Sequence, residues 1–244
     1  MSGDLKTFRH EFKYYINFFE YHKLRLRLNK VLQYDKYSDT EGNYHIRSLY
    51  FDDIKSSALF EKQSGVLTRK KYRIRIYNLS EDVIKLERKN RVGQFINKES
   101  VTISRDEYNK IICNDIDFLY ESKKPLLVQF YLEIKQNLLS RDVIVDYTRE
   151  AYVSDISNVR ITLDKDLRTG LTNTDLFNKN APSIKALDEP WMILEVKFNN
   201  FLPEYIKNII QLGSNQRSAI SKFVICKKMI KSNNILCLKS RGVL

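Results

Sequence analysis

Charged side chains recur at every second position in several short stretches of this chain. Arg9, Glu11 and Lys13 form one series; Arg73 and Arg75, then Lys85, Glu87 and Lys89, then Glu195 and Lys197 form others. Between them stand Phe12, Ile74, Ile76, Ile84, Leu86, Leu194 and Val196. A period of two sends successive side chains to opposite faces of a β-strand. Each stretch therefore reads as a strand with one charged and one apolar face. The charged faces carry both Arg/Lys and Glu. Guanidinium and ammonium groups donate to phosphate oxygens, and carboxylates hold hard divalent cations, so this is the inventory for a polyphosphate with its metal ion. An antiparallel sheet with one face in water gives the same alternation. For a single strand that solvated reading is the commoner one. Solvated faces favour Thr, Ser and scattered Lys, however, and here Arg pairs and Glu-x-Lys pairs recur in separate segments.

The elements that must position these residues follow from the rest of the pattern. Residues 8–16 read as the first strand, Asn17 as a cap, and 18–32 as an amphipathic helix. A polar loop (34–43) leads to a strand over 44–51 and a short helix over 52–62. Strands over 70–77, 83–89 and 96–103 follow, with connections short enough for hairpins. Ser104 with Glu107 forms a capping-box pattern, and helical or irregular sequence runs to about Asn137, interrupted at Pro125. Strands are expected over 142–153, 158–167 and 191–198, and terminal helices over 203–212 and 217–232. The polar connection from Arg168 to Pro190 is longer than ordinary loops and is suspected of being functional or mobile. The expected fold is α+β, an eight-stranded antiparallel β-barrel with helices packed outside, in a single domain of residues 1–244. Charged faces line the bore if the apolar faces lie under the helices; a sandwich would send the charges to water.

Bulk properties narrow the partner. The chain has 244 residues and a net charge of +12, from 42 basic and 30 acidic residues. That excess calls for an anion: nucleic acid, an anionic membrane or a phosphorylated small molecule. The basic residues are spread through strands, which argues against a simple electrostatic arm. Seven Gly and four Pro argue against a linker-rich chain. Neither a signal peptide nor a transmembrane stretch is expected. Cys113, Cys226 and Cys237 form no CxxC pair, which fits unpaired thiols in a reducing cytoplasm. His10, His22 and His45 are scattered, so no zinc site is expected.

The stretches RHEFKYYI, SLYFDD, KYRIRIY, IKLERK, VDYTREAY, VRITLDKDLR, ILEVKF and SAISKF, in that order, resemble the polyphosphate polymerase domain of vacuolar transporter chaperone (VTC) complexes. The stand-alone bacterial members are the more similar. Both belong to the triphosphate tunnel metalloenzyme superfamily, and the likeness runs from Phe8 to about Lys228. It implies an eight-stranded tunnel and the transfer of the terminal phosphate of ATP to inorganic polyphosphate, with Mn²⁺ or Mg²⁺ as cofactor. It implies Lys13, Lys89 and Lys98 as tunnel lysines, Arg73 and Arg75 on the triphosphate, and Tyr147 and Arg149 as a Tyr-x-Arg pair. It further implies Arg160 as a phosphate ligand, Glu195 as metal ligand with Lys197 beside it, and Ser221 and Lys222 as residues of the C-terminal helix that reach the phosphates.

Other residues have two readings. Glu87 is a metal ligand or a salt-bridge partner of Lys89, and Glu11 is similar. Lys85 has no assigned duty, Asp164 and Asp166 read as turn caps, and Lys227 and Lys228 as a solvated helix face. Triphosphatases of the same superfamily open with Glu-x-Glu-x-Lys, whereas this chain has Arg9-x-Glu11-x-Lys13. The lost carboxylate weakens a two-metal water activation. The alternatives are a triphosphatase or polyphosphatase and a non-catalytic polyphosphate or nucleotide binder. Fifteen Tyr would suit single-stranded nucleic acid, but most fall in core patterns, and nucleic acid is not the expected partner. Any membrane link would need a separate partner protein.

Overall fold

The alternating stretches form strands because one face of each is buried under helices. The computed structural model describes residues 9–93, 95–170, 173–211 and 216–240, the side chains of Arg9 and of 234–240 excepted. In chain order the elements are β1 (Arg9–Ile16), α1 (Phe18–Leu28), β2 (Gln33–Tyr34), β3 (Asn43–Asp52), α2 (Ser57–Gln63) and β4 (Thr68–Tyr77). Then come β5 (Ile84–Val92), β6 (Phe95–Ile103), α3 (Arg105–Ile112), α4 (Asp117–Tyr120), α5 (Pro125–Asn137) and β7 (Ser140–Ser154). The last are β8 (Val159–Gly170), β9 (Ser183–Lys185), β10 (Met192–Asn199), α6 (Glu204–Ile209) and α7 (Lys222–Ser240).

The fold is α+β, with eight strands on one sheet path in the order β1-β10-β8-β7-β3-β4-β5-β6. The ladders β1–β10, β10–β8, β3–β4, β4–β5 and β5–β6 are antiparallel. The path has ends at β1 and β6 and does not close on itself by hydrogen bonds. Two short strands join it: β2 pairs β7, and β9 pairs β8.

By its contacts the chain divides into two compact units that share strands. One comprises the chain up to His45, Tyr147–Leu167 and Leu187–Ser221. Its core packs Ile161, Leu163, Leu194 and Val196 against Tyr21, Leu24 and Leu28 of α1 and Ile206 of α6. The other comprises Ile46–Asp146, Arg168–Ala186 and the chain from Lys222. Its core packs Leu49, Phe51, Tyr72, Ile74, Ile76, Ile84 and Leu86 against Tyr108, Ile111, Leu119, Leu127 and Phe130 of α3, α4 and α5. In each unit the helices cover the apolar strand face, which leaves the charged face on the other side.

Local chemistry sets several boundaries. Asn17 and Glu20 complete a capping box on α1, and Ser104 and Glu107 do the same on α3. α1 stops at Leu28 because Gln33 and Tyr34 give their backbone bonds to Val153 and Tyr152 of β7. Pro125 opens α5 rather than interrupting it, since an N–H in the first turn has no intrahelical partner to lose. Arg168–Pro190 is not a free lid. Its first residues extend β8, Ser183–Lys185 pairs with them, and Leu176 is buried in the core. Arg47 Nη1 donates to the carbonyls of Leu176 and Asn178 at 3.3 and 2.7 Å. Among the described residues Cys113 and Cys226 are free thiols; the side chain of Cys237 lies outside them.

One buried carboxylate ties α1 to the strands beneath it. Glu150 accepts from the hydroxyls of Tyr21 and Tyr152 at 2.7 and 2.6 Å, from Arg25 Nε at 3.1 Å and from Lys165 Nζ at 3.0 Å. Burial opposes its charge, but these donors outweigh it and hold its pKa below the usual carboxylate value. Removing the anion would take this acceptor from the Tyr21 and Tyr152 hydroxyls and leave the Lys165 ammonium with only neutral partners, Asn43 Oδ1 and the Tyr21 hydroxyl. Glu150→Ala is therefore expected to lose about 3–5 kcal/mol of stability in urea unfolding, against under about 1 kcal/mol if the network is incidental.

Candidate functional site

In the unit that contains β1, strand register gathers the expected residues. Lys13 stands opposite Glu195 and Glu11 opposite Lys197 in the β1–β10 ladder. Glu195 and Lys197 in turn face Thr162 and Arg160 of β8. Lys13 Nζ lies 2.8 Å from Glu195 Oε1 and 3.7 Å from Glu11 Oε2. Lys197 Nζ lies 3.1 Å from Glu195 Oε2 and 3.3 Å from Glu11 Oε1. Two ammonium groups thus bridge two carboxylates. Burial works against the Lys13 charge, yet Glu195 and Glu11 hold its pKa above the ordinary lysine value. Lys13 Nζ also donates to the Ile220 carbonyl at 3.3 Å, and the Ser218 N–H donates to the Lys13 carbonyl at 2.9 Å. These bonds tie the segment ending at Ser221 to β1.

Arg149 is the most enclosed cation of this cluster. Its Nε and Nη2 donate to the two oxygens of Asp164 at 2.6 and 2.8 Å, and Nη2 is 3.6 Å from Glu195 Oε2. The guanidinium lies 5.3 Å from the Tyr147 ring centroid. Burial disfavours its charge, but Asp164 outweighs that and holds the proton firmly. Arg160 Nη2 pairs with Asp35 at 2.7 Å and donates to the Tyr44 hydroxyl at 2.7 Å. The Thr162 hydroxyl, opposite Glu195, is buried without a hydrogen-bond partner.

The unit that contains β4 builds a second cluster of different balance. Arg73 faces Glu87, and Glu87 faces Ser100, with Lys98 two residues earlier on β6. Arg73 donates through Nε to Glu87 Oε2 at 2.6 Å and through Nη1 to the Tyr50 hydroxyl at 2.8 Å. Lys98 Nζ reaches Glu87 Oε1 at 2.5 Å, and Arg75 Nη1 stands 4.0 Å from Glu87 Oε2. Arg75 Nε donates to Ser48 Oγ at 3.1 Å. Burial disfavours the Glu87 charge, but Arg73, Arg75 and Lys98 outweigh it and hold its carboxyl well below the usual range. Burial in turn lowers Lys98, because one carboxylate is shared among three cations. Three cations thus converge on one carboxylate. In the first cluster Glu11, Asp35, Asp164 and Glu195 match Lys13, Arg149, Arg160 and Lys197 one for one.

The fourteen expected site residues thus fall into two groups. Glu11, Lys13, Tyr147, Arg149, Arg160, Glu195, Lys197 and Ser221 belong to the first unit; Arg73, Arg75, Glu87, Lys89, Lys98 and Lys222 belong to the second. Lys222 opens α7, so Ser221 precedes that helix, which begins five residues later than expected from Arg217. Lys98 on the neighbouring strand also holds Glu87, a partner that the sequence reading did not name. Asp164 does not cap a turn: it lies inside β8 as the bidentate partner of Arg149. Its place at even spacing with Arg160 and Thr162 was the available signal. Lys227 is not on a solvated face either; it is buried, 3.5 Å from Asp52 Oδ2 and paired with Asp142. Asp35, Tyr44 and Tyr50 gave no signal in sequence, because each meets an arginine distant in the chain: Tyr50 across the β3–β4 ladder, Asp35 and Tyr44 at Arg160.

A divalent cation fits one of these places better than another. Among the described residues no three His, Cys, Asp or Glu side chains form a metal-holding group. A site completed by phosphate oxygens needs only one or two carboxylates. Glu195 and Glu11, with the unpartnered Thr162 hydroxyl opposite Glu195, match that donor set. Glu195 and Glu87 each face three cations, but Glu195 shares two of them, Lys13 and Lys197, with a second carboxylate, Glu11.

The depressed Glu87 pKa makes a pH prediction. A carboxyl whose folded pKa lies below its unfolded value of about 4.3 stabilises the fold above that value. This contribution is lost as pH falls through about 4 towards the folded value. Glu87→Gln is expected to melt lower than the parent at pH 7, with the gap narrowing as the pH is brought below about 4. A gap of constant size in thermal melts would show that the charge of Glu87 is not what its partners require.

A family model described as VTC domain matches residues 8–231. No curated protein matches the chain. Among solved structures, a putative adenylyl cyclase from Hippeastrum, described as having a dominant triphosphatase activity, is 13% identical with a TM-score of 0.51. That likeness covers 92% of this chain and 96% of the other. A protein of Pyrococcus horikoshii OT3 is 13% identical over 91% of this chain and 99% of its own, with a TM-score of 0.47. A putative adenylate cyclase from Bacillus halodurans is 12% identical over 96% and 89%, with a TM-score of 0.46. The order of charged strands, the helix-covered apolar faces and a family match over nearly the whole length agree: the chain belongs to the VTC domain family, with a fold of the triphosphate-tunnel type.

Proposed function

We propose that this protein is a polyphosphate polymerase, moving the terminal phosphoryl group of ATP to the end of an inorganic polyphosphate chain and releasing ADP. The observation that carries the reading is the convergence of Arg73, Arg75 and Lys98 on one carboxylate, Glu87. Several cations gathered on one strand face suit an anion with several charges, and a triphosphate is such an anion. Arg73 and Arg75 offer planar donors matched to phosphate oxygens, while Lys98 and Lys89 act as point charges. The family likeness also implies phosphate-binding roles for Lys13, Lys197, Arg160, Tyr147, Ser221 and Lys222. Arg149 is fixed by Asp164 so that it meets charge without reorganising.

Phosphoryl transfer needs positioning and charge stabilisation more than covalent help. The bond to the terminal phosphorus forms from the chain-end oxygen as the bond to the ADP oxygen breaks. Glu195 with Glu11 would hold a divalent cation, Mn²⁺ or Mg²⁺, which supplies neutralising charge at the phosphoryl oxygens when bound.

The test is incubation of purified protein with ATP and Mn²⁺, with polymer resolved on a gel and ADP and free phosphate assayed together. A polymer ladder with equal ADP is expected. Glu195→Ala and Arg73→Ala are each expected to lose about a hundredfold or more in rate, the scale of removing one charge-stabilising group. Free phosphate without polymer would make it a triphosphatase instead. Bound but unchanged ATP would make it a binding module.

A further inference from the structure

The β4–β5 ladder continues past Arg73 and Glu87 on the same face, and there its charges stop matching. The next rung sets Lys71 opposite Lys89, and the one after sets Arg69 opposite Arg91. Like charges directly opposite each other on a ladder are destabilising. Arg69 Nη1 donates to the Val66 carbonyl at 2.7 Å and Arg91 Nε to the Gly93 carbonyl at 2.8 Å. Each guanidinium has five donors, so most remain for another acceptor. Among the described residues no carboxylate lies within ion-pair distance of Arg69, Arg91 or Lys71. The Lys71 ammonium sits 4.3 Å from the Phe223 ring centroid instead.

The opposite face of the same hairpins shows that this lack is specific to one side. There Lys70 pairs with Glu133, and Arg88 pairs with Glu99 at 2.7 Å. Carboxylates pair with the cations on that face, whereas Lys71, Arg69 and Arg91 on the other have none within ion-pair distance among the described residues. Burial, with Arg69 and Lys62 behind it, lowers Lys71 to about 7 against the pull of Asp52. Burial and Arg91 lower Arg69, with Glu61 opposing.

We infer that Lys71, Arg69 and Arg91 form a subsite for the stretch of a linear polyphosphate chain lying beyond the phosphates held at Arg73, Arg75 and Lys98. The inference rests on the proposed function. Rungs on one face are spaced about 6.8 Å apart along the strand, so the cations form a track that follows an extended polyanion. Single-stranded nucleic acid would need aromatic platforms between its phosphates. The apolar residue paired with Arg91 on β6 is Ile96, which offers no such platform.

The experiment measures binding of tripolyphosphate and of a long polyphosphate fraction to the whole chain by calorimetry, across a range of salt. Arg69→Ala/Arg91→Ala is expected to keep its tripolyphosphate affinity and to lose long-chain affinity by about tenfold or more, with a shallower salt dependence. Lys71→Met is expected to lose long-chain affinity in the same direction. Lys23→Ala/Lys30→Ala, which removes two exposed cations from or next to α1, controls for net charge and is expected to change neither. Equal loss for both ligands, no loss for either, or equal loss in the control overturns the subsite. So does a single-stranded RNA that displaces the long chain from the parent and not from the variant. A parent protein that binds neither phosphate ligand overturns the proposed function and this inference with it.

Discussion

The sheet brings like charges within a few ångströms of one another, and what holds them there is a small number of buried carboxylates. Glu87 shows the constraint most clearly. Arg73, Arg75 and Lys98 project from adjacent strands toward one anion, and without it three cations would share a desolvated surface. A buried charge is tolerated only when paired, and breaking the pair costs more than the pair itself contributes. Glu87 therefore organises the arginines before any ligand arrives.

The first cluster answers the same constraint differently. Two lysines and two glutamates alternate across β1 and β10, and Arg149 is locked by both oxygens of Asp164. Four acids match four cations there, and the Thr162 hydroxyl opposite Glu195 has no hydrogen-bond partner. In each unit, helices bury the apolar face of the core strands that carry these charged side chains.

Much of this was legible in the residues. Period-two alternation located the eight long strands because it records which side of the backbone meets a core. The Asn17 and Ser104 caps marked two helix starts because their partners lie three residues away. Signals that reach only a few residues along the chain survive in the sequence. Misreadings arose where the deciding partner was far away in sequence. β2 exists because Gln33 and Tyr34 find β7, and Arg168–Pro190 is anchored because Leu176 finds the core. Lys227 looks like a solvated lysine until Asp142 and Asp52 are brought beside it.

The sequence by itself determined the strand faces, the charge inventory and, through the order of its motifs, the family. Those properties are local or additive: each residue contributes its type and its parity along a strand. Only the tertiary structure decided which charge meets which. Asp164 became the partner of Arg149, Lys98 joined Arg73 and Arg75 at Glu87, and Arg69 came to face Arg91. Register between strands sets those pairings, and register emerges from the packing of the whole sheet under its helices.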